Sequence, residues 1–130
     1  MAHITAHYAG FLALFYLVLS QRVLALRGNP VFRFLAFGRD AAGDVLERVA
    51  RGHGNFAEYT PIFLILLYLC ETSGVAAAML YGCAGAFTLG RLVHGILFAF
   101  MKRNMALRVG GMVLTLTPMG ILAIWLLVWI

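Results

Sequence analysis

The sequence predicts an all-α integral membrane protein, a bundle of four transmembrane helices, and three observations carry that expectation. Of the 130 residues 63% are hydrophobic and 12% charged, which lies outside the mixture of a soluble domain. The apolar residues come in long blocks without strict alternation, which suits spanning helices and not the alternating strands of a barrel. All ten basic residues fall in two segments, Arg22–Arg51 and Arg91–Arg108.

A bilayer core takes about 20 mostly apolar residues in helical form, and four stretches meet that need. The first, Ile4–Leu26, is interrupted at its inner end by Ser20, Gln21 and Arg22. The N-terminal stretch "MAHITAHYAG", where this span begins, lacks the basic start of a cleavable signal peptide, so this helix is expected to be retained. The second spans roughly 52–72, with Phe56–Cys70 behind a polar lead-in. The third is Val75–Met101. The fourth, Val109–Ile130, has no charged side chain. Together they make one membrane domain over residues 1–130.

The net charge of +5 could suggest nucleic acid, but the two basic segments have a simpler account. Under the positive-inside rule they put the first and third connections in the cytoplasm and both termini outside; no nucleic-acid partner is expected. The first connection, about Arg27 to Asp44, carries "RGNP" and "FGRDAAGD", rich in turn-formers. The second, "ETSG", reads as a tight hairpin, and the third, around Lys102 to Arg108, is short and basic. Gly82, Ala86 and Gly90 form a small-xxx-small row, which favours close helix packing inside the bundle. Cys70 and Cys83 have no ligand-like spacing, so they are expected to be packing residues, with neither disulfide nor metal site.

The chemistry-bearing stretch is "RGHGNFAEYTP", Arg51–Pro61, which carries a carboxylate toward the bilayer. On a helix turning about 100° per residue, Arg51, Asn55 and Glu58 share a sector of roughly 60°, continued by Ile62 and Ile65. Tyr59 flanks that face and His53 points nearly opposite. In the third span Arg91, His94 and Phe98 cluster in the same way. An ion near the membrane interior costs at least about 2.5 kcal/mol, so Glu58 and Arg91 are expected to pair and keep each other charged. A helix clasp needs one cation and one anion; the surplus of donors in Arg51, Asn55, Tyr59 and His94 suggests a polar, anionic ligand.

These residues resemble a known family. "RGHGNFAEYTPIF", followed after a hairpin by "GRLVH", is similar to the MAPEG family, membrane-associated proteins in eicosanoid and glutathione metabolism, and to its small bacterial members in particular. The resemblance covers essentially the whole chain and rests on two blocks, Arg51–Pro61 and Gly90–His94. It implies a homotrimer in a bacterial inner membrane, with glutathione as co-substrate bound between subunits near the cytoplasmic face and lipophilic substrates arriving from the lipid. Arg51, Asn55, Glu58 and Tyr59 match glutathione-holding positions, His94 matches a site-lining His or Tyr, and Arg91 matches an arginine of the family's third helix. Arg51 suits a carboxylate and Glu58 an ammonium. Two departures bear on catalysis. One turn beyond His94 the best-known eicosanoid synthases have Tyr, where this chain has Phe98. Their thiol-activating arginine aligns with Arg108, or with a shift with Arg103.

The resemblance thus implies a glutathione-dependent transferase or peroxidase acting on lipophilic electrophiles, with Arg108 lowering the thiol pKa from about 8.5 toward 7 to supply a thiolate. The alternative is a non-catalytic lipid- or glutathione-binding accessory membrane protein, which Phe98 suits. A small proton-coupled exporter fits less well, because such proteins place their key acid in the first helix, where this chain has none.

Overall fold

The computed structural model describes residues 2–102 and 104–129 and contains four long helices: α1 (His3–Leu26), α2 (Asp44–Thr72), α3 (Ala77–Phe100) and α4 (Met105–Trp129). A short 3-10 segment, Arg33–Leu35, lies in the long first connection. The fold is an all-α, multi-spanning membrane bundle. Of the four helices, α1, α3 and α4 are long and apolar enough to cross a membrane. The remaining helix, α2, has 29 residues, about 43 Å at 1.5 Å per residue, and its first half is charged.

Two helix starts differ from the expected bounds, and each has a local cause. Helix α2 begins at Asp44, well before residue 52, because Gly43 turns the chain at a φ of 78° and Asp44 and Glu47 then occupy the first turn. Carboxylates there complement the positive end of the helix dipole. Helix α4 begins at Met105, not Val109, because Asn104 Oδ1 accepts the Leu107 amide at 3.1 Å and caps the first turn.

The helices α2 and α3 form the middle of the bundle. Helix α1 packs on both, α4 packs on both from the other side, and α1 does not contact α4 among the described residues. The core between them is apolar and aromatic: Phe63 of α2 stacks on Phe87 of α3 with ring centroids 3.8 Å apart, beside fully buried Leu12, Leu67 and Leu122. Cys70 and Cys83 are buried in this cluster as packing residues. Outward-facing apolar side chains such as Leu14, Ile124 and Leu127 are exposed, as lipid-facing positions are.

The small-residue row divides. At Gly90 the backbones of α3 and α4 come so close that a Cβ would lie 2.8 Å from the Gly111 carbonyl oxygen, whereas a Cβ on Gly82 would meet nothing within 4 Å. Only the inner part of the row serves packing within the chain. Gly90→Ala is therefore expected to cost about 1–3 kcal/mol, the range for overpacking, while Gly82→Ala should be near neutral. Unfolding of both variants in the same mild detergent checks this.

Helix α1 is fastened at both ends by residues whose roles the sequence reading left open. At its N-terminal end Glu71, in the last turn of α2, accepts the backbone N–H groups of Ile4 and Thr5 at 2.8 Å each and the Thr5 hydroxyl at 2.7 Å. This carboxylate caps a helix that has no side-chain cap of its own. At its C-terminal end Arg22, 2% exposed, donates to the carbonyl oxygens of Ala99 (3.0 Å), Phe37 (2.8 Å) and Leu35. Its guanidinium also lies 4.0 Å from the Phe37 ring centroid. The expected break in the first span is thus a staple that joins α1, the first connection and the end of α3.

Candidate functional site

The sequence-predicted residues separate into a buried polar node and an open cleft. The node is built on Arg91, which is 1% exposed. Its Nε donates to Thr115 Oγ1 of α4 at 2.9 Å and its Nη1 to Asn55 Oδ1 of α2 at 2.7 Å. Nη2 reaches Met112 Sδ at 3.6 Å, and the guanidinium lies 5.4 Å from the Tyr59 ring centroid. Thr115 in turn donates to the Gly111 carbonyl at 2.7 Å. The close approach at Gly90 and Gly111 brings α4 near enough for these contacts.

The expected Glu58–Arg91 ion pair is not formed. Glu58 is exposed on the outer side of α2, and among the described residues the single ion pair joins Arg51 to Glu47 at 2.6 Å. Asn55 wins the contact because it lies at the edge of the polar face nearer to α3, so a neutral amide oxygen and a threonine hydroxyl satisfy the guanidinium in the bundle centre. A hydrogen bond to a charged group is worth about 1.5–3 kcal/mol. Asn55→Ala and Arg91→Met should therefore show a coupling of about 1–3 kcal/mol in a double-mutant cycle, and Glu58→Gln with Arg91→Met a coupling near zero. A large coupling in the second cycle and none in the first would restore the ion pair.

The cleft lies at the basic end of the bundle. It has a volume of about 330 Å³ and is lined by Asp44, Glu47, Arg48 and Arg51 of α2, Leu97 and Phe98 of α3, Asn104, and Arg108 of α4. Arg51 and Arg108, which the sequence separates by most of two helices, thus share one opening. The guanidinium of Arg108 lies 5.7 Å from the Phe98 ring centroid, and Phe98 stacks on the buried His94 ring at 4.5 Å. The other side of Phe98 packs against the backbone of Gly52, where a Cβ would clash with it. Phe98 is therefore held between His94, Gly52 and Arg108 as one wall of the cleft. His53 faces away from this opening, as its position predicts: it stacks on Tyr16 of α1 and lies 2.9 Å from the Ser20 hydroxyl.

Arg51 and Arg108 thus line the cleft, Asn55, Tyr59 and Arg91 meet in the node, His94 is buried behind Phe98, and Glu58 stands outside both. Arg103, the alternative to Arg108, lies outside the described residues. The sequence reading missed Asp44 and Glu47 as cleft walls, although both lie within two turns of Arg51 on the same helix. It also missed Arg48, which donates to the Met101 carbonyl and ties α2 to the end of α3.

With this layout in hand, comparison with known proteins is decisive, since the profile of the MAPEG family matches residues 5–128. The chain belongs to the MAPEG family. The matched region runs through all four helices and includes both the node and the cleft. Among curated proteins, the inner membrane protein YecN of Escherichia coli is 32% identical over 121 residues, covering 88% of this chain and 91% of that protein. YecN from a second Escherichia coli strain matches to the same extent. No solved structure matches the chain significantly.

Proposed function

We propose that this MAPEG protein is a glutathione-dependent transferase or peroxidase acting on lipophilic electrophiles at a bacterial inner membrane. The observation that carries the reading is the shared cleft of Arg51 and Arg108, with acids and arginines interleaved on its walls. Glutathione has two carboxylates and an ammonium, and the cleft's donor set fits both signs. Arg51 and Arg48 suit the carboxylates through charge-assisted bonds, and Asp44 and Glu47 suit the ammonium. When bound, glutathione supplies the sulfur nucleophile. Arg108 lies beside Phe98 and has no carboxylate partner among the described residues, so its charge is available to favour a thiolate. Asn55, Tyr59 and Arg91 hold α2, α3 and α4 in register beneath the cleft, and His94 backs the Phe98 wall.

The inner-membrane assignment follows the similarity to YecN, an inner membrane protein, and the two basic connections favour a cytoplasmic cleft with both termini outside. Glu58, Ile62 and Ile65 form an exposed strip on α2, with Ile62 and Ile65 more than half exposed. A neighbouring subunit would cover that strip and bring Glu58 to a shared site, in line with the homotrimer that the family resemblance implies. Native mass spectrometry in mild detergent is expected to give a trimer; monomer or dimer alone would count against it.

Phe98 supports the second reading, an accessory protein that binds lipid or glutathione without turnover, because it brings no hydroxyl to the cleft. Glutathione binding to the purified protein, measured together with conjugation to a generic aryl halide, separates the two. Binding with turnover supports the enzyme, binding alone supports the accessory role, and no binding removes both glutathione readings.

A further inference from the structure

The first connection has an organisation that neither the cleft nor the node uses. From Pro30 to Arg39 it winds through successive tight turns: Arg33 N–H donates to Pro30 O, Leu35 to Phe32, Ala36 to Arg33 and Arg39 to Ala36, at 2.8–3.4 Å. Turns of this kind have about three residues per revolution, so side chains three apart align. Val31 and Phe34 therefore stand on one side, 72% and 74% exposed, whereas the Phe37 ring turns back to stack on Phe100 and Arg22. Arg33 and Arg39 are both exposed, and the turn at Gly38, with a φ of 72°, lets Arg39 line the same hollow as Arg33. The segment is a short strip that exposes apolar and basic side chains together.

Its position fixes what such a strip can meet. It follows directly on α1, a helix long and apolar enough to cross the membrane, and the Arg22 staple binds it to the ends of α1 and α3 through the Leu35 and Phe37 carbonyls. It is thereby held level with the ends of two helices that are long and apolar enough to cross a membrane. Between the strip and the end of α1 lies a hollow of about 670 Å³ lined by Asn29, Arg33, Phe34 and Arg39 among others. The carboxylate of Asp40 accepts the Val45 amide at 3.5 Å at the start of α2, and neither Arg33 nor Arg39 is in an ion pair among the described residues.

We infer that the hollow beside Arg33 and Arg39 binds the phosphate headgroup of an anionic phospholipid, with Val31 and Phe34 set among its acyl chains. Two guanidinium groups supply the charge and forked geometry that phosphate oxygens match. Aromatic and aliphatic side chains beside basic ones are the composition of segments that lie in the interface plane. The inference stands apart from the proposed chemistry, since none of these residues lines the Arg51–Arg108 cleft. It adds a lipid dependence: the segment links the headgroup layer, through Arg22, to the end of α3.

The test is lipid titration of the detergent-solubilised full chain by native mass spectrometry, with phosphatidylglycerol, phosphatidylcholine and inorganic phosphate as separate probes. Phosphatidylglycerol is expected to bind in preference to phosphatidylcholine. Each basic residue near an anionic surface contributes about 1 kcal/mol, roughly fivefold, so R33Q with R39Q should weaken that binding about 25-fold. Both positions are exposed, and an unchanged melting curve would show that the double variant is folded. Equal retention of the two lipids, an unaffected double variant, or displacement of phosphatidylglycerol by comparable inorganic phosphate would overturn the proposal. An independent arm uses Phe34→Trp in bilayers containing brominated acyl chains, with wild-type protein giving the background of the native tryptophans. Quenching of the added tryptophan is expected; its absence would mean that water or a second copy covers the strip, and the proposal would fail.

Discussion

Replacing Arg22 with Met lowers the stability of the bundle by about 3–5 kcal/mol. The side chain is fully buried and makes three bonds to backbone carbonyls, those of Ala99, Leu35 and Phe37. A bond from a charged donor contributes about 1.5–3 kcal/mol, but three that share one side chain do not add in full. Met preserves most of the volume, so the loss comes from carbonyls left without their donor rather than from a cavity. Unlike Ala99, Leu35 and Phe37 lie in a connection with no regular ladder to fall back on, and that connection should loosen first. Arg22→Lys keeps the charge without the fork and should recover part of the loss. Unfolding in mild detergent measures all three proteins, and an Arg22→Met variant within about 1 kcal/mol of wild type would show that water takes over the carbonyls.

The same residue shows where the sequence was legible and where it was not. Long apolar blocks and two basic clusters are properties of the local chain, and they were sufficient for four helices and an all-α membrane fold. Helix boundaries depend on single caps: Gly43 and Asn104 moved two starts, and neither stands out among the chain's other turn-formers. The polar face of Arg51, Asn55 and Glu58 was also legible, because helical periodicity fixes it. Which member of that face meets Arg91 was not. Periodicity places residues within a sector, whereas a difference of one turn decides whether Asn55 or Glu58 reaches the neighbouring helix. Arg22 looked like an interruption because its acceptors, Leu35, Phe37 and Ala99, are remote carbonyls that carry no side-chain signature. Glu71 was hidden for the same reason, since its partners are the amides of Ile4 and Thr5. The cleft was half visible: Arg51 and Arg108 were identified by resemblance, but only the packing of α4 on α3 and α2 gives them a common opening with Asp44 and Glu47.

That opening yields the second large expected effect, in which the two arginines part company. Arg51→Ala weakens glutathione binding by about 1.5–3 kcal/mol, the worth of a charge-assisted contact, or roughly ten- to hundredfold. Arg51 is more than half exposed and its pairing with Glu47 lies between neighbours one turn apart on a helix, an interaction of only a few tenths of a kcal/mol. The free protein therefore loses little, and the effect should be confined to the complex. Arg108→Ala leaves glutathione affinity much closer to normal but raises the pKa of the bound thiol toward its ordinary value of about 8.5. The thiolate fraction at neutral pH then falls, and turnover falls with it, whereas an effect on binding alone would raise KM and spare kcat. The ultraviolet absorbance of the thiolate, followed against pH in the saturated complex, reads the ionisation without requiring an electrophile. An unchanged thiol pKa in Arg108→Ala would remove that residue from the chemistry and direct the same measurement to Arg103. If neither substitution alters binding or thiol ionisation, the cleft holds no thiol peptide, and the walls formed by Asp44, Glu47, Arg48 and Arg51 only fasten the start of α2 to the end of α3 and the start of α4.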